Sequence, residues 1–328
     1  MLSRTNKLYI ILLIAILSFS GYLFFSNNTV PTLPLRTGIS PWPGYETLFL
    51  ARSLGYLENS SIRLVELPSA TEVMHAFRNE ALEIATLTLD ETVTLLSMGV
   101  KLKVVAVMGI SSGTDALLAQ PQYQSLQDLK GKRIGVENTA VGSTVLESAL
   151  EKAGMNLSDF VLVSLTKNKH SQAYTEKKID AVVTFEPVKS DLISQGALSL
   201  FDSSLAPGRI VNVLVVRPSI LEAQTGTICS LVKAQIKALS YFKTHFRKSA
   251  RLMAPRLQLD PEYFLKSFQG IILPDFLENR KLLSPSDASL VASAKQLVEL
   301  MLNYGFLKER LGIESFIDNR CVEGKNFE

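Results

Sequence analysis

Short β-branched segments alternate with helical patterns along most of the chain, and their order begins again near its middle. The predicted strands are Arg36–Ser40, Ile62–Leu67, Ile84–Leu87 and Leu102–Met108, then Arg133–Val136, Phe160–Leu165 and Ala181–Thr184. Gly38 and Gly135 hold matching places in the two series, and so do Asp90 and Glu186. Because strands that alternate with helices favour a mainly parallel sheet, the sequence predicts an α/β protein with two similarly built lobes. After a strand at Val211–Val216, only helices are predicted, the first of them from Cys229 to Met253.

The N-terminus carries a second constraint. Arg4 and Lys7 precede an apolar run from Leu8 to Phe25, which is typical of a signal peptide or of a short membrane anchor. We therefore predict a signal or anchor segment at residues 1–25 and a polar tether at 26–35. A buried core helix is the alternative. Since the positive flank stays inside, the body is expected in the periplasm, at the outer face of the cytoplasmic membrane.

Charge and composition exclude several classes of partner. The chain has 328 residues, 47% of them hydrophobic, and a net charge of +3, so it lacks the excess of basic residues typical of nucleic-acid binding. His75, His170 and His245 are scattered, and we expect neither a metal nor a cofactor. Cys229 and Cys321 could be bridged or free. Hydrolase, phosphate-loop and metalloprotease motifs are absent, so we expect no enzyme.

Ligands of open α/β sheets bind beyond the carboxyl ends of the strands. The residues that we predict to contact a ligand lie in five such loops: Trp42, Tyr45, Glu46, Thr88, Asp90, Ser112, Asp115, Asn138, Thr139, Gly142, Ser143, Phe185 and Glu186. Each has an alternative structural role. The aromatic rings could pack beneath their loop, and the acids and hydroxyls could favour helix N-termini.

Four stretches carry a resemblance to a known family. They are Gly38-Ile39 with the Pro43-Gly44-Tyr45-Glu46 loop, Leu50-Ala51-Arg52 with Gly55-Tyr56, Asp128 to Val136, and Ile179 to Pro187. In this order they resemble solute-binding proteins of ABC importers, in the group that binds nitrate, sulfonates, taurine and a thiamine pyrimidine precursor. The resemblance implies a two-lobed, type II periplasmic binding protein fold. We expect the protein to be a monomer.

It also implies which residues form each lobe. Residues 36–119 and 211–328 would form lobe 1, and residues 120–210 lobe 2. The chain would cross between them at Leu117–Ala119 and Val213–Val216.

These observations together predict an extracytoplasmic protein that captures a small molecule and delivers it to an ABC importer permease. The alternative is a ligand-sensing module for a membrane signalling protein. Since the candidate loops are rich in carboxylates and hold no Lys or Arg, the ligand is expected to be a cationic or neutral amine or heterocycle rather than an anion.

Overall fold

The computed structural model describes residues 33–137, 140–285, 289–303, 305–313 and 315–323, with the side chains of 140–143 left undescribed. The predicted signal or anchor at 1–25 and most of the tether at 26–35 lie outside these residues. Over the described part, none of the helices combines the length and apolar character needed to cross a bilayer.

The first sheet has six strands. They are β1 Leu35–Ile39, β2 Ile62–Glu66, β3 Ile84–Thr88, β4 Lys103–Ser111, β10 Val211–Val216 and β11 Ile271–Ile272, in the order β11-β4-β10-β3-β1-β2. Strands β1, β2 and β3 are parallel, while β10 runs antiparallel between β3 and β4.

The second sheet repeats this plan with five strands. They are β5 Asp115–Ala119, β6 Arg133–Val136, β7 Val161–Ser164, β8 Ala181–Phe185 and β9 Leu198–Asp202, in the order β7-β6-β8-β5-β9. Strands β6, β7 and β8 are parallel, and β5 is antiparallel to β8 and β9. The predicted α/β class with two similar halves is confirmed.

Helices cover the faces of both sheets. They are α1 Glu46–Ser53, α2 Ala70–Arg78, α3 Leu89–Ser97, α4 Ala140–Ala153, α5 His170–Thr175, α6 Val188–Ser194, α7 Pro218–Ala223, α8 Thr225–Thr244, α9 Phe246–Met253, α10 Pro261–Ser267, α11 Phe276–Leu282 and α12 Ser289–Asn303. The single helix predicted from Cys229 to Met253 is wrong, because the backbone leaves helical geometry at His245 and separates α8 from α9.

An arginine at the start of the first strand makes the same contacts in both halves. Arg36 donates from its backbone N and its Nε to Glu83 (2.7 and 3.0 Å), and Arg133 donates from the same two atoms to Asp180 (both 3.0 Å). A second guanidinium nitrogen of each arginine reaches a backbone carbonyl three residues before that acid. The two lobes therefore share their interactions as well as their order of strands.

The glycines that revealed the repeat occupy equivalent close contacts. A Cβ on Gly38 would lie 2.3 Å from Leu82 Cδ1, and one on Gly135 would lie 2.7 Å from Ile179 Cδ1. In both halves, the missing side chain lets an aliphatic residue from the segment before the third strand pack directly on the first strand.

The chain passes between the sheets in short segments. Strand β5, which includes Leu117–Ala119, is hydrogen-bonded within the second sheet, and Val213–Val216 lies inside the first. Neither stretch is a crossing, contrary to the prediction. The connections are residues 112–114 and 203–210, where the antiparallel partners of each sheet end. The division into lobes at 36–119, 120–210 and 211–328 stays a prediction, and the strand pairing favours Asp115 as the start of the second lobe.

A disulfide joins α8 to the C-terminal segment. Cys229 and Cys321, which the sequence left open, are bonded across 92 residues. The same segment extends the first sheet, where the Val104 N–H donates to the Phe316 carbonyl at 2.7 Å. The bridge thus holds the C-terminus against β4 and the core of the first lobe.

Reduction of this bridge should destabilise the protein. A closed loop of this length restricts the unfolded chain, and its loss typically costs about 2–5 kcal/mol. We expect the free energy of unfolding, measured in urea with and without a thiol reductant, to fall by this amount when the bridge is reduced. The double variant Cys229→Ser/Cys321→Ser should match the reduced protein and should no longer respond to the reductant. An unchanged midpoint on verified reduction would contradict the stabilising role.

Candidate functional site

A cavity lies between the two sheets, at the carboxyl ends of their parallel strands. Its free volume is about 40 Å³, room for a few water molecules, so a larger ligand would enter only if the two sheets moved apart. The residues that line it are Ser40, Pro41, Trp42, Tyr45, Pro68, Ser69, Ala70, Thr88, Glu91, Asp115, Glu137, Lys167, Phe185, Ile210 and Asn212. Both sheets contribute, so a ligand here would contact both halves of the fold.

Two aromatic rings form one wall. Trp42 and Tyr45 are buried and pack edge to face, with ring centroids 4.8 Å apart. The tryptophan rests on Gly44 and Gly109, where any side chain would collide with its ring. The Tyr45 hydroxyl donates to Asn212 Oδ1 at 2.7 Å, and burial together with the neighbouring acids raises the pKa of this phenol well above its ordinary value.

Glu91 presents a carboxylate oxygen to the cavity. It is the third residue of α3, and its Oε2 accepts from the Thr88 backbone N–H at 2.8 Å in a reciprocal cap. The other oxygen, Oε1, is buried and has no hydrogen-bond partner among the described residues. Burial, and then the charge of Asp90, raise the pKa of Glu91 to about 8. The cap fixes the direction of this side chain and leaves one acceptor for a ligand.

Two further carboxylates come from the second sheet. Asp115 begins β5, and its Oδ2 accepts from Thr114 Oγ1 at 3.1 Å. Glu137 follows β6 directly, and its buried Oε1 also lacks a partner among the described residues. Burial raises the pKa of both carboxyl groups, and the charge of Lys167 opposes that rise.

Lys167 is the cation of the cavity. It lies in the loop after β7, and its ammonium donates to the Pro41 carbonyl at 2.6 Å, so it connects the two halves across the cavity. The same Nζ lies 4.5 Å from the centre of the Phe185 ring. Burial lowers its pKa to about 8, while Glu137 and Asp115 oppose that shift. The five loops chosen from the sequence contain no Lys or Arg, and Lys167 enters the cavity from a segment outside them.

Several residues predicted to contact a ligand lie away from the cavity. Glu46 is buried against Arg256, with Oε2 3.0 Å from Nε, and burial raises its pKa to about 7. The Asp90 carboxylate accepts from Thr144 at 3.4 Å, Glu186 accepts from Ser190 at 2.9 Å, and the Ser112 N–H donates to the Gly270 carbonyl. The three acidic side chains and the Ser112 backbone therefore have structural partners.

The remaining predicted residues divide between the cavity and the undescribed part of the chain. Trp42, Tyr45, Thr88, Asp115 and Phe185 line the cavity. Asn138 and Thr139 lie outside the described residues, and Gly142 and Ser143 are described only as backbone of α4.

The predicted contacts included Asp90 in place of its neighbour Glu91, and three further cavity residues were missed: Glu137, Lys167 and Asn212. The first two follow the carboxyl ends of β6 and β7, so the rule that selected the other loops could have found them. Asn212 lies inside β10, and only the pairing of that strand with β3 places it beside Tyr45. Within the described part of the chain, no group of three or more His, Cys, Asp or Glu residues has the arrangement of a metal site.

Comparisons with known proteins extend the resemblance seen in the sequence. A family model described as NMT1/THI5 like matches residues 42–247, more than half of the chain. A binding protein of Brucella abortus is 36% identical over 88 residues, so the match covers only 27% of this chain and 27% of that curated relative.

The fold is also found in solved structures. The alkanesulfonate-binding protein SsuA from Xanthomonas axonopodis pv. citri, bound to MOPS, gives a TM-score of 0.74 at 16% identity and covers 88% of this chain and 99% of its own. The desulfurization enzyme DSZB gives 0.65 at 18% identity, with 88% and 97% covered. The predicted two-lobed periplasmic binding protein fold is confirmed, and an enzyme shares it.

The raised pKa of Glu91 predicts how stability depends on pH. A carboxyl whose pKa is higher in the folded state than in the unfolded state stabilises the fold fully below the unfolded value, near 4.5, and this contribution is lost as pH rises through about 8. Glu91→Gln keeps the acceptor for the Thr88 N–H but cannot ionise. Relative to the wild type, it should gain on the order of 4 kcal/mol between pH 5 and pH 8.5.

Urea unfolding across that pH range would measure the difference. Glu58→Gln, at an exposed position, serves as the control and should follow the wild type throughout. A difference between Glu91→Gln and the wild type that stays constant with pH would show that Glu91 is ionised at all these values.

Proposed function

The chain belongs to the NMT1/THI5-like family, and we propose that it is an extracytoplasmic solute-binding protein that delivers its ligand to an ABC importer. One observation carries the proposal: a buried cavity between two similar sheets, lined from both and closed by the contact of Lys167 with the Pro41 carbonyl. A ligand held there would join the two halves. Such a protein can present a closed, liganded form to a permease.

The proposed motion is a hinge at the connecting segments. Ser111, Thr114 and Ser203 form a buried cluster of hydroxyl groups there, with Ser111 Oγ 2.6 Å from each of the other two oxygens. Thr114 in turn donates to the cavity residue Asp115. Rotation of the lobes about this cluster would open the cavity and would move Asp115 relative to Glu91 on the first lobe.

We propose an amine-bearing or pyrimidine-like ligand. Glu91 Oε1 and Glu137 Oε1 are buried acceptors without a donor among the described residues, and an unsatisfied buried acceptor costs about 1–3 kcal/mol. N–H groups of a ligand would satisfy both. Trp42 and Tyr45 offer flat surfaces to a ring or a cation.

An anion is the poorer fit. Among the described residues that line the cavity, three carboxyl groups stand against one ammonium, that of Lys167. Each carboxyl that ionises would repel an anion at about 4 Å by about 4 kcal/mol at an effective dielectric constant near 20. The solved sulfonate-binding relative shares the fold, and at that low identity its ligand need not be shared.

The proposed location is the periplasmic face of the cytoplasmic membrane. The disulfide between Cys229 and Cys321 is typical of an oxidising compartment, and the N-terminal sequence has the charge pattern of an exported protein. The importer permease would then be the partner of the body, and the N-terminal segment its contact with the membrane.

Ligand class can be tested by thermal shift. A ligand at 100 times its dissociation constant should stabilise the protein by about 2.7 kcal/mol. We expect amines and aminopyrimidines to raise the melting temperature and alkanesulfonates or nitrate to leave it unchanged. Glu91→Gln and Glu137→Gln should each reduce the shift caused by an amine, because a bound cation would favour the ionised carboxylate and glutamine cannot ionise.

Glu46→Gln is the matched control. It also removes a buried carboxylate, but Glu46 pairs with Arg256 outside the cavity, so this variant should keep the full ligand-induced shift. If sulfonates raise the melting temperature and no amine does, the proposed ligand class is wrong. Equal loss in all three variants would show that the cavity carboxylates do not contact the ligand.

Export can be tested separately from binding. A reporter that is active only in the cytoplasm, fused after Glu328, should give no signal, because the positive flank of the apolar run keeps only the N-terminus inside. Replacing Leu12 and Leu13 by arginine should restore the signal by disrupting that run. A bright signal from the unaltered fusion would contradict the extracytoplasmic location.

A further inference from the structure

One stretch of the first lobe has a charge pattern that ligand binding in the cavity does not require. Residues 223–259 contain seven Lys or Arg residues and no Asp or Glu, in a chain whose net charge is only +3. This stretch includes all of α8 and α9. Arg256 pairs with Glu46, and Lys237 lies over the Tyr56 ring. Four more, Lys243, Arg247, Lys248 and Arg251, lie close together in the sequence around the junction of the two helices.

Helix α9 separates its buried and exposed residues sharply. Ser249, Ala250 and Met253 are buried against the first lobe, while Arg247, Lys248, Arg251 and Leu252 are exposed. The cations therefore project from the face of the helix that points away from the core.

Apolar side chains lie among these cations. Phe246 keeps 51% of its surface exposed although its ring packs edge to face on Phe242, and Leu252 is 41% exposed. We define the basic face as Lys243, Phe246, Arg247, Lys248, Arg251 and Leu252. Its closest acid is Glu262, 3.9 Å from Arg247, and both of those side chains are largely exposed.

We propose that the basic face is a docking surface for an anionic lipid membrane. Cations interleaved with Phe and Leu on one side of a surface helix are typical of helices that lie in the membrane interface. Each Lys or Arg near an anionic bilayer strengthens binding about fivefold. The two exposed apolar side chains can enter the boundary between headgroups and acyl chains, where they leave water.

The N-terminal sequence favours the membrane as the occupant. If residues 1–25 span or anchor, the nine residues 26–34 reach about 30 Å when extended. A body of this size has a diameter of about 50 Å, so such a tether would keep it at the bilayer surface. A surface held there meets lipid at high local concentration, and a weak basic face is then enough to orient the body.

Lipid-dependent quenching would test the proposal on the full chain. Thr244→Cys, next to Lys243 of the basic face and exposed, carries a fluorescent dye, and the protein is reconstituted into vesicles containing spin-labelled lipid. We expect strong quenching in vesicles that contain about 30% of the anionic lipid phosphatidylglycerol, because an anionic surface attracts Lys and Arg side chains. We expect little quenching in vesicles of pure phosphatidylcholine. A dye on Gln122→Cys, in the lobe that contains the second sheet, should be quenched only weakly in both kinds of vesicle.

Charge reversal provides the matched pair of variants. Arg247→Glu/Lys248→Glu/Arg251→Glu should abolish the quenching, because three cations contribute a factor of at least about a hundred to binding. Lys130→Glu/Lys152→Glu/Lys178→Glu changes the net charge equally on exposed positions elsewhere and should retain it. Melting temperatures of both variants show whether each is folded.

Three outcomes would overturn the proposal. Equal quenching in both lipid mixtures would mean that the N-terminus alone brings the body close. No quenching in anionic vesicles would mean that the basic face does not meet lipid. A dye response to polyglutamate but to neither vesicle would assign the face to an acidic protein segment.

Discussion

The arrangement of the cavity depends on removing four ionisable side chains from water at once. Glu91, Asp115, Glu137 and Lys167 come from both sheets and meet where the strands end, and burial is the largest influence on the pKa of each. An isolated buried charge is costly, so three of the four groups are held by fixed partners: the Thr88 cap for Glu91, the Thr114 hydroxyl for Asp115 and the Pro41 carbonyl for Lys167. These contacts lower the free-energy cost of burying the ionisable groups, and they account for much of the local structure around the cavity.

Much of the fold could be predicted because the signal occurs twice. Alternation of strands and helices fixed the class, and Gly38 and Gly135 marked equivalent positions that the structure shows in equivalent contacts. The paired contacts of Arg36 with Glu83 and of Arg133 with Asp180 were not predicted, although both arginines open a strand. The crossings were misplaced because β5 has no β-branched residue to mark it as a strand and β10 has the pattern of any buried strand. Only their hydrogen-bond partners reveal the sheet to which each belongs.

The site was predicted less completely, since side-chain direction is a property of three dimensions. Asp90 and Glu91 are neighbours in the first turn of α3, yet the cap turns Glu91 towards the cavity while Asp90 faces Thr144 of α4. Glu46 opens α1 and is drawn to Arg256, which lies far away in the sequence. Lys167 follows a short edge strand whose residues are mostly exposed. Such a strand does not stand out as part of a buried site until the sheet is assembled.

The same carboxylates connect proton binding to the proposed closure of the lobes. In an opened cavity, Glu91 and Glu137 would be hydrated and would ionise near their ordinary pKa values, whereas burial raises the pKa of both in the structure described here. Closure without a ligand therefore favours uptake of protons by these groups. A cationic ligand supplies positive charge in their place, so protons and ligand satisfy the same acceptors. Lys167 already neutralises part of this negative charge from the second lobe. The cavity thus balances a fixed ammonium against several carboxylates, and a ligand that donates hydrogen bonds fits the charge that remains.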